Sequence, residues 1–276
     1  MPNFLTPYIR YSAFSNFLSG VSLYPRTTPP QNRAADFFDL NSDLFCGVAD
    51  EKALTRLLND VGMIRAWHAQ GHQNIWLTLQ NDADCHTLSV WTAFQEKAEL
   101  LMHAILWLEY IHIDALDLTV PSICVEHLRL QNPRASFGAV EAMPGQDYPS
   151  SGLFKTAFAL AQNLAAKTGA ICLTEVPQFF HTAWLFSSHF EYVDPEMAAV
   201  FKKMNQDLLP PRPLFEDVLR VSRAFEAKRV LCNQSVWCWP TELQAFPLTH
   251  DFHFQSSFQL EDKSFVISDD DNATIT

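Results

Sequence analysis

The sequence predicts an α/β protein with a mixed, mostly antiparallel sheet flanked by helices, on three observations. Between Asn74 and Gln131, the segments "NIWLTLQ", "HTLSVWTAF", "AELLMHAILWLEYIHI" and "ICVEHLRLQ" alternate or run continuously apolar, as consecutive strands do. From Ser136 to Asp194 the pattern changes to strand, loop, helix, strand, helix, strand. Composition agrees: 276 residues, 48% of them hydrophobic and 18% charged, with 22 Phe and 7 Trp, supply a large core and exclude disorder of the whole chain.

Residues 1–35 are aromatic- and Pro-rich without a period and end in "YPRTTPPQNRA", which reads as an arm and linker. An N-terminal part follows over 36–130. Its first pattern, "DEKALTRLLNDVGMIRAWHAQG", sets Leu54, Leu57, Leu58, Val61, Ile64 and Trp67 at helical spacing. Asp50 is the expected N-cap, Gly71 the stop and Gly62 a divider into two helices. The strand run described above completes this part. Residues 131–250 form the second part. "SFGAVEAM" reads as a strand, and "GLFKTAFALAQNLAAKTG" as a helix with Leu153, Ala157, Leu160, Ala161 and Leu164 on one face and Gly169 at its end. "AICLTEVP" is a buried strand, "FFHTAWLFSSH" a short aromatic helix and "FEYVD" a strand. Two helices, "PEMAAVFKKMNQDL" and "PLFEDVLRVSRAFEAKRV", are separated by Pro210, Pro211 and Pro213, and "NQSVWCWP" reads as a last strand of the core. Residues 251–276 form an acidic tail, with Glu261, Asp262, Asp269, Asp270 and Asp271.

Nineteen basic against 31 acidic residues give a formal charge of -12, which argues against non-specific nucleic-acid or anionic-membrane binding. The longest apolar stretch is interrupted by Glu99, His103, Glu109 and His112, and is too short and polar for a bilayer span. The start lacks a basic cluster followed by an apolar core, so a cytoplasmic location is expected. The six cysteines show no CxxC pair and read as buried free thiols. "THDFHF" offers His250, Asp251 and His253 without the spacing of a zinc site, so no metal is expected. No GxSxG elbow and no Gly-Lys-Ser/Thr phosphate loop occurs.

The stretch that carries most information is "PGQDYPSSGLFKTAFALAQNLAAKTGA", from Pro144 to Ala170. A helix N-terminus presents unpaired N–H groups and partial positive charge, and the small residues Ser150, Ser151 and Gly152 would let an anion approach. Lys155, Arg129 or Arg134 would screen it. The competing reading is a Pro-Gly turn in which Ser150 or Ser151 is an ordinary N-cap.

In order of elements, Gly138 to Asp194 resembles the coenzyme A-binding core of the GNAT superfamily of N-acetyltransferases. There, a strand leads into a pyrophosphate loop and a long helix, followed by a strand, a short helix and an aromatic "Gly-Phe" strand, whose place His189-Phe190 takes here. The loop and aromatic helix also look like those of a family of uncharacterised bacterial proteins. The GNAT resemblance implies an acyl-CoA N-acyltransferase-like fold that transfers an acyl group from acetyl-CoA or another acyl-CoA to an amine. It places Gln146, Ser150, Ser151, Gly152 and Lys155 at the cofactor, and His181, Glu141 or Glu175 at the proton transfer. Two departures open alternatives: Pro149 stands where the loop's first glycine belongs, and Trp184, Leu185 and Phe186 occupy the region of the usual proton-donating Tyr. A binding or structural protein that kept the fold without the chemistry is the second reading, and a hydrophobic-ligand or partner-binding module built on the aromatic helix 179–190 the third. An exposed aromatic surface would favour a homodimer.

Overall fold

The computed structural model describes residues 43–82, 85–113, 117–138, 141–240, 244–248 and 263–268. Asp50 opens the first helix, its carboxylate accepting the Ala53 N–H at 2.7 Å, so α1 (Glu51–Asp60) starts capped. Gly62, at φ +82°, takes the left-handed turn that separates α1 from α2 (Met63–Ala69), as its position in the pattern predicts. Leu54, Leu58, Met63 and Trp67 from this pair are fully buried.

A meander follows: β1 (Trp76–Asn81), β2 (Cys85–Phe94), β3 (Lys97–Ile113) and β4 (Leu118–Leu130), each antiparallel to the one before. The chain then crosses through α3 (Phe154–Thr168), which Gly169 ends at φ +77°, and enters β5 (Cys172–Glu175) parallel to β4. After α4 (Phe180–Phe186) and the short β6 (Glu191–Tyr192) come α5 (Pro195–Leu208), capped by Asp194, and α6 (Phe215–Glu226). β7 (Val230–Cys232) and β8 (Ser235–Val236) form a hairpin, β9 (Gln244–Pro247) returns to the large sheet, and β10 (Phe265–Ile267) pairs with β7. The large sheet has the order β1-β2-β3-β4-β5-β9-β6, and a small one the order β10-β7-β8.

Two apolar clusters hold these layers. Phe154, Ala157, Leu160 and Leu164 of α3 pack on Leu88, Met102, Leu106, Val125 and Leu173 of the sheet. The other joins α4, α5, α6 and the small sheet through Phe180, Phe201, Met204, Val218, Phe225 and Phe265. The Phe180 ring stacks on Phe225 at 5.5 Å and meets Trp239 edge-on at 5.6 Å.

The fold class agrees with the sequence, and several elements differ in detail. "SFGAVEAM" forms no strand in its described residues; β4 itself leads into the loop and occupies the position beside β5 that the pattern assigns to that segment. Arg223 of α6 holds it instead, pairing with Glu141 and donating to the Ala142 carbonyl. "NQSVWCWP" contributes β8 to the small sheet, and β9 supplies the later strand of the large one. Part of the acidic tail is structured: β10 inserts Phe265 against Trp237 at 5.6 Å. Neither Ser150 nor Ser151 caps α3, whose N-cap is Leu153 without a side-chain bond. The arm 1–35 and the "THDFHF" histidines lie outside the described residues.

The described cysteines are free thiols, with Cys46, Cys124, Cys172 and Cys232 buried, Cys85 half-buried and Cys238 exposed. Among the described residues, no helix is long and apolar enough to cross a membrane. Leu164, 1% exposed, lies between α3 and the sheet. Leu164→Ala is expected to cost about 2–5 kcal/mol in urea unfolding. Gly169→Ala should cost only about 1 kcal/mol, because a Cβ there meets no atom within 4 Å and the penalty is confined to the backbone angle.

Candidate functional site

The parallel ladder between β4 and β5 is short. It runs from Ser122 opposite Cys172 to Val125 opposite Glu175, after which β5 turns away at Val176 and Pro177 while β4 continues to Leu130. At the next step β4 bulges: Leu106 faces Val125 and Ile105 faces His127, so Glu126 is an extra residue in the register with β3. Farther on, Gln131 bridges antiparallel to Ser150, and the Asn132 N–H donates to the Pro149 carbonyl at 2.8 Å. The Gln131 N–H serves the other side, donating to Leu101 of β3 at 3.0 Å. The β4 edge from Glu126 to Leu130 is therefore bracketed by β5 at one end and by the 149–150 loop at the other.

Glu175 ends β5 on the face that α3 covers. It is fully buried, neither carboxylate oxygen has a hydrogen-bond partner, and burial raises its pKa well above the carboxylate range. Burial thus favours the protonated form of the group. A cavity of about 40 Å³ beside it is lined by Val125, Leu128, Phe154, Phe186 and Phe190, large enough for a water. His181, at the opening of α4, is fully buried and stacks on Phe179 at 5.3 Å. Burial lowers its pKa to about 3, so the imidazole is neutral. The fold thus places Glu175 and His181 at the two ends of one short turn, whereas Glu141 lies on an exposed loop engaged by Arg223.

The opposite sheet face carries a row of polar groups. Thr174 donates to Glu109 at 2.8 Å and lies 3.1 Å from Ser122, whose hydroxyl also reaches the Cys172 carbonyl at 3.2 Å. Ser89 is 2.9 Å from Nδ1 of His103, and the His103 and His127 rings meet edge-on at 5.2 Å. Burial first, then the neighbouring His103 and Arg129, lower the His127 pKa to about 3.

In the loop, Gly152 sits at φ +71° and donates its N–H to Ser150 Oγ at 3.1 Å. Gln146 folds back, its side-chain carbonyl accepting the Met143 N–H at 2.9 Å. The Ser151 carbonyl accepts from Gln70 of the α2 end at 2.7 Å, tying the loop to the N-terminal part, while its hydroxyl is buried without a partner. Arg129 of β4 pairs with Asp147 at 2.9 Å and so neutralises the acidic residue of the loop. Arg134 is committed elsewhere, bonding Glu99 at 2.8 Å and lying over Phe94 at 4.4 Å. Lys155 is exposed on the first turn of α3.

Sequence reasoning missed Glu126. One signal was present: the inward apolar positions of "ICVEHLRL" run Ile123, Val125, then Leu128, Leu130, a change of parity that only an extra residue between them produces. Neither a protein-family model nor a curated protein matches this chain.

His127 and His181 remain neutral in the fold down to about pH 3, whereas an unfolded histidine takes its proton near pH ~6.5. Between those values the unfolded chain binds more protons, so stability falls as pH drops through that window. His127→Gln is expected to flatten this slope in unfolding midpoints measured from pH 7 to pH 4; an unchanged slope would place the protonation elsewhere.

Proposed function

We propose that this protein is an acyl-CoA-dependent N-acyltransferase whose thioester lies where β4 and β5 part. The observation that carries the reading is the bracketed β4 edge beyond the Val125–Glu175 pair, with its bulge at Glu126. An extended chain bearing amides, such as the pantetheine arm, pairs with such an edge as an added strand would. The diphosphate then falls toward Gly152 and the uncapped start of α3, with Lys155 nearby and Asp147 neutralised by Arg129. Gln146, Ser150 and Ser151 shape this turn.

In the proposed reaction a neutral amine attacks the thioester carbonyl, the C–S bond breaks and the thiolate leaves. Glu175, whose acid form burial favours, is suited to return a proton to sulfur, which takes the part of the missing Tyr; the amine's proton passes to Glu126 at the bulge, because burial leaves His181 too weak a base to hold it. Glu141, paired with Arg223, is assigned to the loop's structure. Free thiols and an acyl-CoA substrate suit a cytoplasmic setting.

A second reading rests on the contact between α3 and α4. Phe154 meets Phe186 at 4.9 Å and, just beyond α4, Phe190 meets Phe158 at 5.9 Å, which narrows the space over α3 and favours a scaffold without catalysis. Calorimetric titration with acetyl-CoA and desulfo-CoA separates the two. The acyltransferase reading requires saturable binding of both, weakened about tenfold in Lys155→Glu. Absence of heat at millimolar ligand would leave the scaffold. Glu175→Gln supplies an independent check on the buried acid. Because the folded pKa of Glu175 is raised, its ionisation costs stability as pH climbs, so the Gln variant should melt higher than the native protein at pH 8 and equally at pH 4.

A further inference from the structure

Away from the β4 edge, a cleft of about 330 Å³ opens between α5 and the β6–β9 edge of the large sheet. Its volume is that of a small-molecule site. Phe190, Tyr192 and Phe201 form its walls, with the Tyr192 and Phe201 rings 5.4 Å apart. Gln244 of β9 lies at its inner end, fully buried, with neither amide atom hydrogen-bonded. Its register neighbours are Glu175 on β5, whose carboxyl oxygens are equally unbonded, and Tyr192 on β6. A buried carboxamide without partners is costly, and a ligand that supplies one recovers that cost on binding. At the mouth, Lys202 and Glu191 are exposed, opposite in charge, and outside any ion pair among the described residues.

We propose that this cleft binds a free aromatic α-amino acid with a polar ring atom. The carboxylate faces Lys202, the ammonium faces Glu191, the ring lies among Phe190, Tyr192 and Phe201, and the polar ring atom reaches Gln244. Each feature selects something different: aromatic walls favour a planar ring, the amide a donor or acceptor at its far end, and the two opposite charges a zwitterion rather than a simple acid or amine. This site is distinct from the proposed acyl-CoA edge and does not depend on it.

The test is calorimetric titration of the full chain with L-tryptophan and L-tyrosine, each compared with its single-charge analogues: tryptamine and tyramine, which lack the carboxylate, and the N-acetyl amino acids, which lack the ammonium. Saturable binding of at least one amino acid, about tenfold weaker for its analogues, is expected. Lys202→Glu, on the surface, should weaken the amino acid about tenfold while sparing the amine that has no carboxylate. Gln244→Leu, checked for folding by circular dichroism, should bind L-phenylalanine no worse than the native protein does and lose the preference for the polar rings. No saturable heat with either amino acid up to its solubility limit would overturn the proposal. So would binding indifferent to Lys202→Glu.

Discussion

The four-residue parallel ladder between β4 and β5 is the constraint on which the rest of the structure depends. It is the place where the antiparallel meander of the N-terminal part joins the alternating elements of the C-terminal part. A parallel pair needs a crossover, and α3 supplies it, which is why the longest described helix of this half lies over the sheet with Phe154, Ala157, Leu160 and Leu164 turned inward. The ladder is also short. Its end at Glu175 leaves the rest of β4 with an edge that β5 does not use, and the bulge at Glu126 re-aims the strand at that step.

Around β5, the buried polar side chains differ in bonding between the two sheet faces. On one face Glu109, Thr174 and Ser122 form a bonded chain, so their burial carries little penalty. On the other, Glu175 and Gln244 sit side by side across β5 and β9 with no bonds. Burial without partners costs free energy that packing alone does not return, and it is at such places that a bound group stabilises the protein most. Both proposed sites begin from this row: Glu175 lies at the parting of β4 and β5, and Gln244 at the inner end of the α5 cleft.

Aromatic side chains do the joining between layers. Phe154, Phe158, Phe186, Phe190 and Phe246 connect α3, α4 and β9, and Phe180, Phe201, Phe225 and Trp239 connect α4, α5 and α6. The short helix α4 takes part in both sets. It has only seven residues and no side-chain cap, so its stability comes from this packing rather than from its own hydrogen bonds. Phe190 lines both the small cavity beside Glu175 and the cleft at Gln244, which makes it the wall between the two proposed sites.

The helices, their breaks and the meander were legible in the sequence because each depends on local chemistry. Asp50 caps, Gly62 and Gly169 turn left-handed, and the apolar spacing along α3 and the meander strands reports which side faces the core. Of the site, the loop and the burial of the "CLTE" strand could be read, and Glu126 left only a shift of parity. Strand partners could not be read. Ser136–Met143 has a strand-like pattern yet its described residues join no strand, while the four residues Gln244–Pro247 enter between β5 and β6 and place Gln244 beside Glu175. Periodicity records how often a chain turns a side chain inward, a property of neighbouring residues. Which edge a strand joins is decided by hydrogen bonds to residues far away in the chain, and only the tertiary structure contains them.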